Sequence, residues 1–178
     1  MKSLLLALPY RPRLPLLAAA LIAPWSALWA QAPNNNCANA IPLADVSSWC
    51  SAVAEFSNVG ATNSGLSASC FPNNQVSNDV WFSFVAEATD VNISLVGNVQ
   101  INAGGTLQTP QFALYQGDCG NLVQNACTSD AFNNGAVQLQ QSQQQKGQAY
   151  YIQVSARNGR TGSFQFESTT STHSQRLP

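Results

Sequence analysis

Hydrophobic and polar residues alternate with a period of two through most of this chain. The clearest case is residues 79–86, where Val80, Phe82 and Phe84 share one face and Trp81, Ser83 and Val85 the other, which is a sandwich strand rather than an amphipathic helix. Val91, Ile93 and Leu95 then alternate with Asn92, Ser94 and Val96 after the short polar break 87–90, so the two segments are predicted to form a hairpin. Phe112 and Leu114 alternate with Ala113 and Tyr115 ahead of a Gln116-Gly117-Asp118 turn, and a further strand is expected around 135–140. Residues 149–155 are rich in β-formers, Asn158-Gly159 is a turn dipeptide and 162–166 begins a return strand; a second hairpin is predicted there. Upstream, Ala40 to Leu43 reads as an edge strand because Pro42 cannot donate to a ladder. Residues 52–56 read as another strand, and 60–72 as a turn-rich loop. The glutamine run 141–145 is bracketed by strands and is read as a polar loop. Residues 168–178 lack apolar periodicity and are expected to form a disordered tail. No stretch after residue 30 keeps helical periodicity over three turns, so the class expected is all-β, an antiparallel β-sandwich of about seven to nine strands.

The first 30 residues change the picture of where that sandwich works. Lys2, Arg11 and Arg13 precede a short apolar run, 14–24, and Ala30-Gln31-Ala32 offers small residues for cleavage; this is the pattern of a secretory signal peptide. Cleavage after Ala30 is preferred because cutting after Ala32 would leave Pro33 just past the scissile bond. An uncleaved anchor is the alternative, and the apolar run is short for spanning a bilayer. Residues 31–167 are then one domain. From Gln31 onward the chain has four basic and eight acidic residues, a net charge of −4, with 17 Asn and 17 Gln. So sparse and acidic a charge set argues against nucleic acid or an anionic membrane as partner. The amide-rich surface suits an extracellular or cell-surface life, with the periplasm as a further possibility. All five cysteines lie in this exported part, where disulfides persist. Cys119 and Cys127 are paired here as a staple across one hairpin or loop. Cys50 with Cys70 is the favoured second bridge, leaving Cys37 over; Cys37 with Cys50 or with Cys70 stays open.

Candidate chemistry is thin. The one histidine, His173, lies in the tail, which removes Ser-His and Cys-His catalysis. The acids are scattered among polar turns, so the chain is read as a non-enzyme. Aromatic rings ringed by amides can bind sugars; Trp49, Phe71, Tyr115 and Phe132 stand at predicted loops or strand ends. Packing is the competing reading for each.

The order of several short motifs is similar to a known family. Residues 33–43 (PNNNCANAIPL), 60–64 (GATNS), 79–84 (DVWFSF), 113–119 (ALYQGDC), 150–154 (YYIQV) and 162–164 (GSF) resemble the bacterial pre-peptidase C-terminal domain and its disulfide-bearing relatives. The resemblance covers about residues 33–167 and implies a jelly-roll sandwich. It also implies a non-catalytic module of secreted proteins whose relatives bind calcium, collagen or polysaccharide. Members with a calcium-type lead-in have Glu-Pro-Asn-Asp where this chain has Ala32-Pro33-Asn34-Asn35, so both carboxylates are replaced by groups that hold Ca²⁺ poorly. Asp79 matches a family acid, which leaves Asn34, Asn35 and Asp79 as candidate calcium ligands, with a turn or cap role as the other reading of Asp79. The function expected is a secreted binding module for extracellular carbohydrate or protein. The alternative is a structural or adhesive spacer without a small-molecule site.

Overall fold

A computed structural model describes residues 31–171. The predicted signal peptide and residues 172–178 of the predicted tail lie outside the described residues.

Ten strands form two sheets. One sheet holds β1 (Ile41–Pro42), β4 (Val80–Val85), β9 (Ala149–Ala156), β6 (Pro110–Asp118) and β7 (Asn121–Ser129), in that spatial order. The other holds β2 (Ser48–Cys50), β10 (Ser163–Ser171), β5 (Asp90–Val96) and β8 (Ala136–Gln141), with β3 (Phe56–Ser57) also pairing with β10. All pairings are antiparallel except β1 with β4. The fold is an all-β sandwich.

The period-two pattern puts Val80, Phe82 and Phe84 of β4 into the space between the sheets, where they meet Ile93, Leu95, Phe164 and Phe166. Phe82 meets Phe166 edge-on with centroids 5.0 Å apart and Phe56 at 4.8 Å, a geometry aromatic pairs favour. Trp81, on the other face of β4, is also buried, in a second cluster with Phe71, Val76, Ala113 and Tyr115. That second cluster exists because the long segment between β3 and β4 lies over the outer face of the sheet. It explains why Pro110 to Tyr115 of β6 is buried on both faces.

Several expectations fail, for identifiable reasons. β4 and β5 pair with β9 and β10 respectively, so the predicted 79–96 hairpin is instead a crossing between sheets. The same holds for the predicted hairpin at Asn158-Gly159, where β9 and β10 lie in different sheets. Alternation tells which face of a strand is buried but not which sheet it joins. The strand expected over 52–56 is interrupted by a turn: Ala54 has φ +58°, and the Glu55 carboxylate accepts from the Ala52 N–H. Residues 168–171, expected in the tail, continue β10. The glutamine run is a loop docked on the β4–β5 connection, Gln144 N–H donating to Thr89 C=O and Gly147 N–H to Ala86 C=O.

Both predicted disulfides are wrong. The bridges are Cys37–Cys119 and Cys70–Cys127, with Cα atoms 5.6 and 6.0 Å apart, and Cys50 is free and exposed. β7 pairs along β6, so Cys127 lies opposite Ala113 while Cys119 sits beyond the end of β6. At ~3.3 Å per strand residue the two are roughly 20 Å apart, against the ~4.4–6.8 Å that a bridge tolerates. The observed bridges instead tie the N-terminal lead-in and the covering loop to the β6–β7 hairpin.

Candidate functional site

The predicted metal residues do come together, but as a hydrogen-bonded structural network. Asp79 is fully buried, and its carboxylate accepts from Ser64 N–H at 2.8 Å, Gln153 Nε2 at 2.9 Å and Trp81 Nε1 at 3.0 Å. Gln153 also donates to Leu66 C=O and accepts from the Tyr115 hydroxyl at 2.9 Å. Burial, and after it the nearby Asp79 charge, push the Tyr115 phenol far above the ordinary tyrosine range. The Asn34 carboxamide donates to Trp81 C=O, while Asn35 accepts from Thr62 N–H and donates to its hydroxyl. A Ca²⁺ ion takes about six to eight oxygens, several of them charged. The one carboxylate present faces N–H donors that a cation would oppose, and the described residues contain no group of three His, Cys, Asp or Glu side chains placed to share a metal. These residues therefore do not fit calcium. They pin the covering loop and the lead-in to the sheet.

A different site forms at one end of the sandwich. The β5–β6, β7–β8 and β9–β10 connections meet there, held by Gly97 N–H to Gly135 C=O at 2.8 Å, Thr106 and Leu107 N–H to Ser163 C=O, and Arg157 N–H to Thr109 C=O at 3.0 Å. Between them lies a cleft of about 280 Å³ lined by Asn98, Gln108, Thr109, Asn133, Gly135 and Arg160. Asp130, itself buried, shapes one wall: its carboxylate accepts from the N–H groups of Phe132, Asn134 and Gly135. That turn leaves Phe132, next to Asn133 of the lining, 83% exposed. Asn58, fully buried, clamps the opposite wall by donating to Arg160 C=O and accepting from Gly162 N–H. Gly135 has φ +78°, and a Cβ there would sit 2.0 Å from Asn98 C=O, so only glycine fits that approach.

Residues 33–168 match the profile of a family described as galactose binding domain-like and associated with T9SS. The chain belongs to this galactose-binding-domain-like family. No curated protein matches it. Among solved structures it is similar to the pre-peptidase C-terminal domain of a collagenase from Bacillus anthracis, at 11% identity and a TM-score of 0.38, over 73% of this chain and 94% of that one. The resemblance noted from the sequence motifs is to the same kind of domain.

Within this galactose-binding-domain-like chain, only one of the four predicted aromatics is a candidate platform. Phe71 and Tyr115 are buried in the second cluster, and Trp49 is half-buried against the core, its ring 6.4 Å from Phe56. All three are packing residues, because the covering loop and β2 consume the faces that the sequence alone leaves open. Phe132 remains exposed, and it directly precedes Asn133 of the cleft lining. Asn98, Gln108, Thr109, Asn133, Gly135 and Arg160 were not anticipated, since the three connections carrying them are far apart in sequence. The available signal was local: an aromatic followed by Asn133-Asn134-Gly135, and an arginine directly after Asn158-Gly159.

Proposed function

We propose that this chain is an exported, non-catalytic module that binds extracellular carbohydrate at the loop-end cleft. The observation that carries this reading is the composition of that cleft, amides, a hydroxyl and a guanidinium, with the exposed aromatic Phe132 directly preceding Asn133 of the lining. Asn and Gln carboxamides both donate and accept, which matches paired sugar hydroxyls. The face of Phe132 offers an apolar surface to the C–H face of a pyranose. At about 280 Å³ the cleft lies just under the ~300–1,000 Å³ of drug-sized pockets, room for one sugar unit rather than a long chain. Membership in the galactose-binding-domain-like family supports binding over catalysis. The two disulfides and the T9SS association support secretion or display at the cell surface. Asp79 and Asp130 point the same way, since each carboxylate is filled by N–H donors and neither is free to act as an acid or base.

Affinity electrophoresis in gels containing neutral and acidic polysaccharides tests this. Retardation by at least one polymer, abolished in Phe132→Ala and Asn133→Ala while both variants keep the wild-type melting temperature, is the expected result. Retardation unchanged in both variants would move the site elsewhere. Migration unaffected by every polymer would leave a protein-binding or spacer role.

A further inference from the structure

We infer that the sugar recognised at the loop-end cleft carries a carboxylate, a uronate unit of an acidic polysaccharide; this rests on the carbohydrate reading above. Arg160 is the one charged side chain in the lining. It is exposed, and its guanidinium donates from Nη1 to Gln108 Oε1, which fixes one edge; among the described residues nothing accepts from Nε or Nη2. Among the described residues no carboxylate lies within ion-pair distance of it. The nearest acid in the wall, Asp130, spends both oxygens on the backbone N–H groups of its own loop. Arg157 stands behind that wall, donating from Nη1 to the Asp130 carbonyl at 2.8 Å.

The distribution of charge sharpens the inference. The described residues hold three basic side chains, Lys146, Arg157 and Arg160, against eight acidic ones, and two of the three stand at this end of the sandwich. Lys146 is the one basic side chain elsewhere among the described residues, so the cleft end is where their surface offers a polyanion two basic groups together. A neutral sugar would be served by Asn98, Gln108 and Asn133 alone and would leave the guanidinium to water. A carboxylate takes the open edge of the fork through two parallel N–H···O bonds, which gives direction as well as strength.

The experiment is isothermal titration of the folded protein with a galacturonate oligomer, its methyl ester, a neutral galactose oligomer and a sulfated galactose oligomer. The acid form should bind on the order of tenfold more tightly than its methyl ester, since a charge-assisted pair outweighs a neutral one. Arg160→Gln should erase that difference, so that acid and ester bind alike, and Arg160→Lys should keep only part of it because the fork is lost. Equal affinity for acid and ester, with both sensitive to Phe132→Ala, overturns the carboxylate assignment and leaves the carbohydrate reading standing. Arg160-dependent binding of the sulfated oligomer alone also overturns the carboxylate. Binding of none of the four overturns both.

Discussion

Removing the Asp79 carboxylate should unfold much of the margin that holds the covering loop in place. In Asp79→Ala the Trp81 Nε1–H and the Ser64 N–H lose the one acceptor each has among the described residues, whereas Gln153 Nε2 keeps Leu66 C=O at 2.7 Å and the Ser64 hydroxyl at 3.3 Å. The Trp81 donor is buried, and a buried donor left without an acceptor costs about 1–3 kcal/mol, while the lost bond at the exposed Ser64 adds about 1 kcal/mol, a total of about 2–4 kcal/mol. Total stabilities of single domains are about 5–15 kcal/mol. With a urea slope of about 2 kcal/mol per molar, the unfolding midpoint should fall by roughly 1–2 M. Asp79→Asn should not rescue it, because its NH₂ must face one of the same N–H donors. The assay is urea unfolding followed by tryptophan fluorescence, run in chelator and again in excess calcium. Wild-type curves should coincide in the two buffers. A midpoint shift below about 0.5 M in Asp79→Ala, or a wild-type midpoint raised by calcium and not raised in the variant, would refute the structural assignment of Asp79.

Other outcomes follow from the same geometry. Tyr115→Phe should lose about 1 kcal/mol with the Gln153 hydrogen bond, read by the same unfolding assay. Because burial raises the Tyr115 pKa in the folded chain, that chain holds the phenolic proton more tightly than the unfolded one. The resulting stabilisation is complete below the unfolded tyrosine value of about 10 and declines above it, so wild type should lose more stability between pH 9 and 11 (~one unit either side of that value) than Tyr115→Phe does. A native-state thiol assay should find one reactive cysteine per chain, Cys50, and peptide mapping should link Cys37 to Cys119 and Cys70 to Cys127. Replacing Cys70 and Cys127 together by serine should cost up to about 4 kcal/mol for a loop of that length, seen as a lower melting temperature. Gly135→Ala should lower the melting temperature and weaken sugar binding together, because its Cβ would meet Asn98 C=O at 2.0 Å.

The strands that bury one face were legible in the sequence, as Val80, Phe82 and Phe84 show: their alternation gives the strand and its inner face. β7 was not legible, because its residues are mixed polar and half-buried and its identity comes from pairing with β6. The disulfides were misread for the same reason, since placing Cys127 depends on recognising that extended strand. Sheet membership is set by which inner faces meet across the core, a fact that local periodicity does not contain. The site follows this rule. Phe132 could be named from its setting among turn residues, but Asn98, Gln108 and Arg160 converge only when three connections from both sheets arrive at one end. Asp79 was legible as an unusual acid at a strand entrance, and the three N–H donors that face it decide between the two roles open to it, anchoring the loop rather than holding an ion.

The most direct test of the carbohydrate site is an amide chemical-shift titration of the labelled protein with acidic and neutral galactose-type oligosaccharides. The account predicts perturbations gathered on Asn98, Gln108, Asn133, Gly135 and Arg160, with Asp79, Trp81 and Tyr115 unmoved. Perturbations centred on the Asp79 network or on the outer sheet face around Asn92, Ser94 and Gln138, or no perturbation by any oligosaccharide, would contradict it.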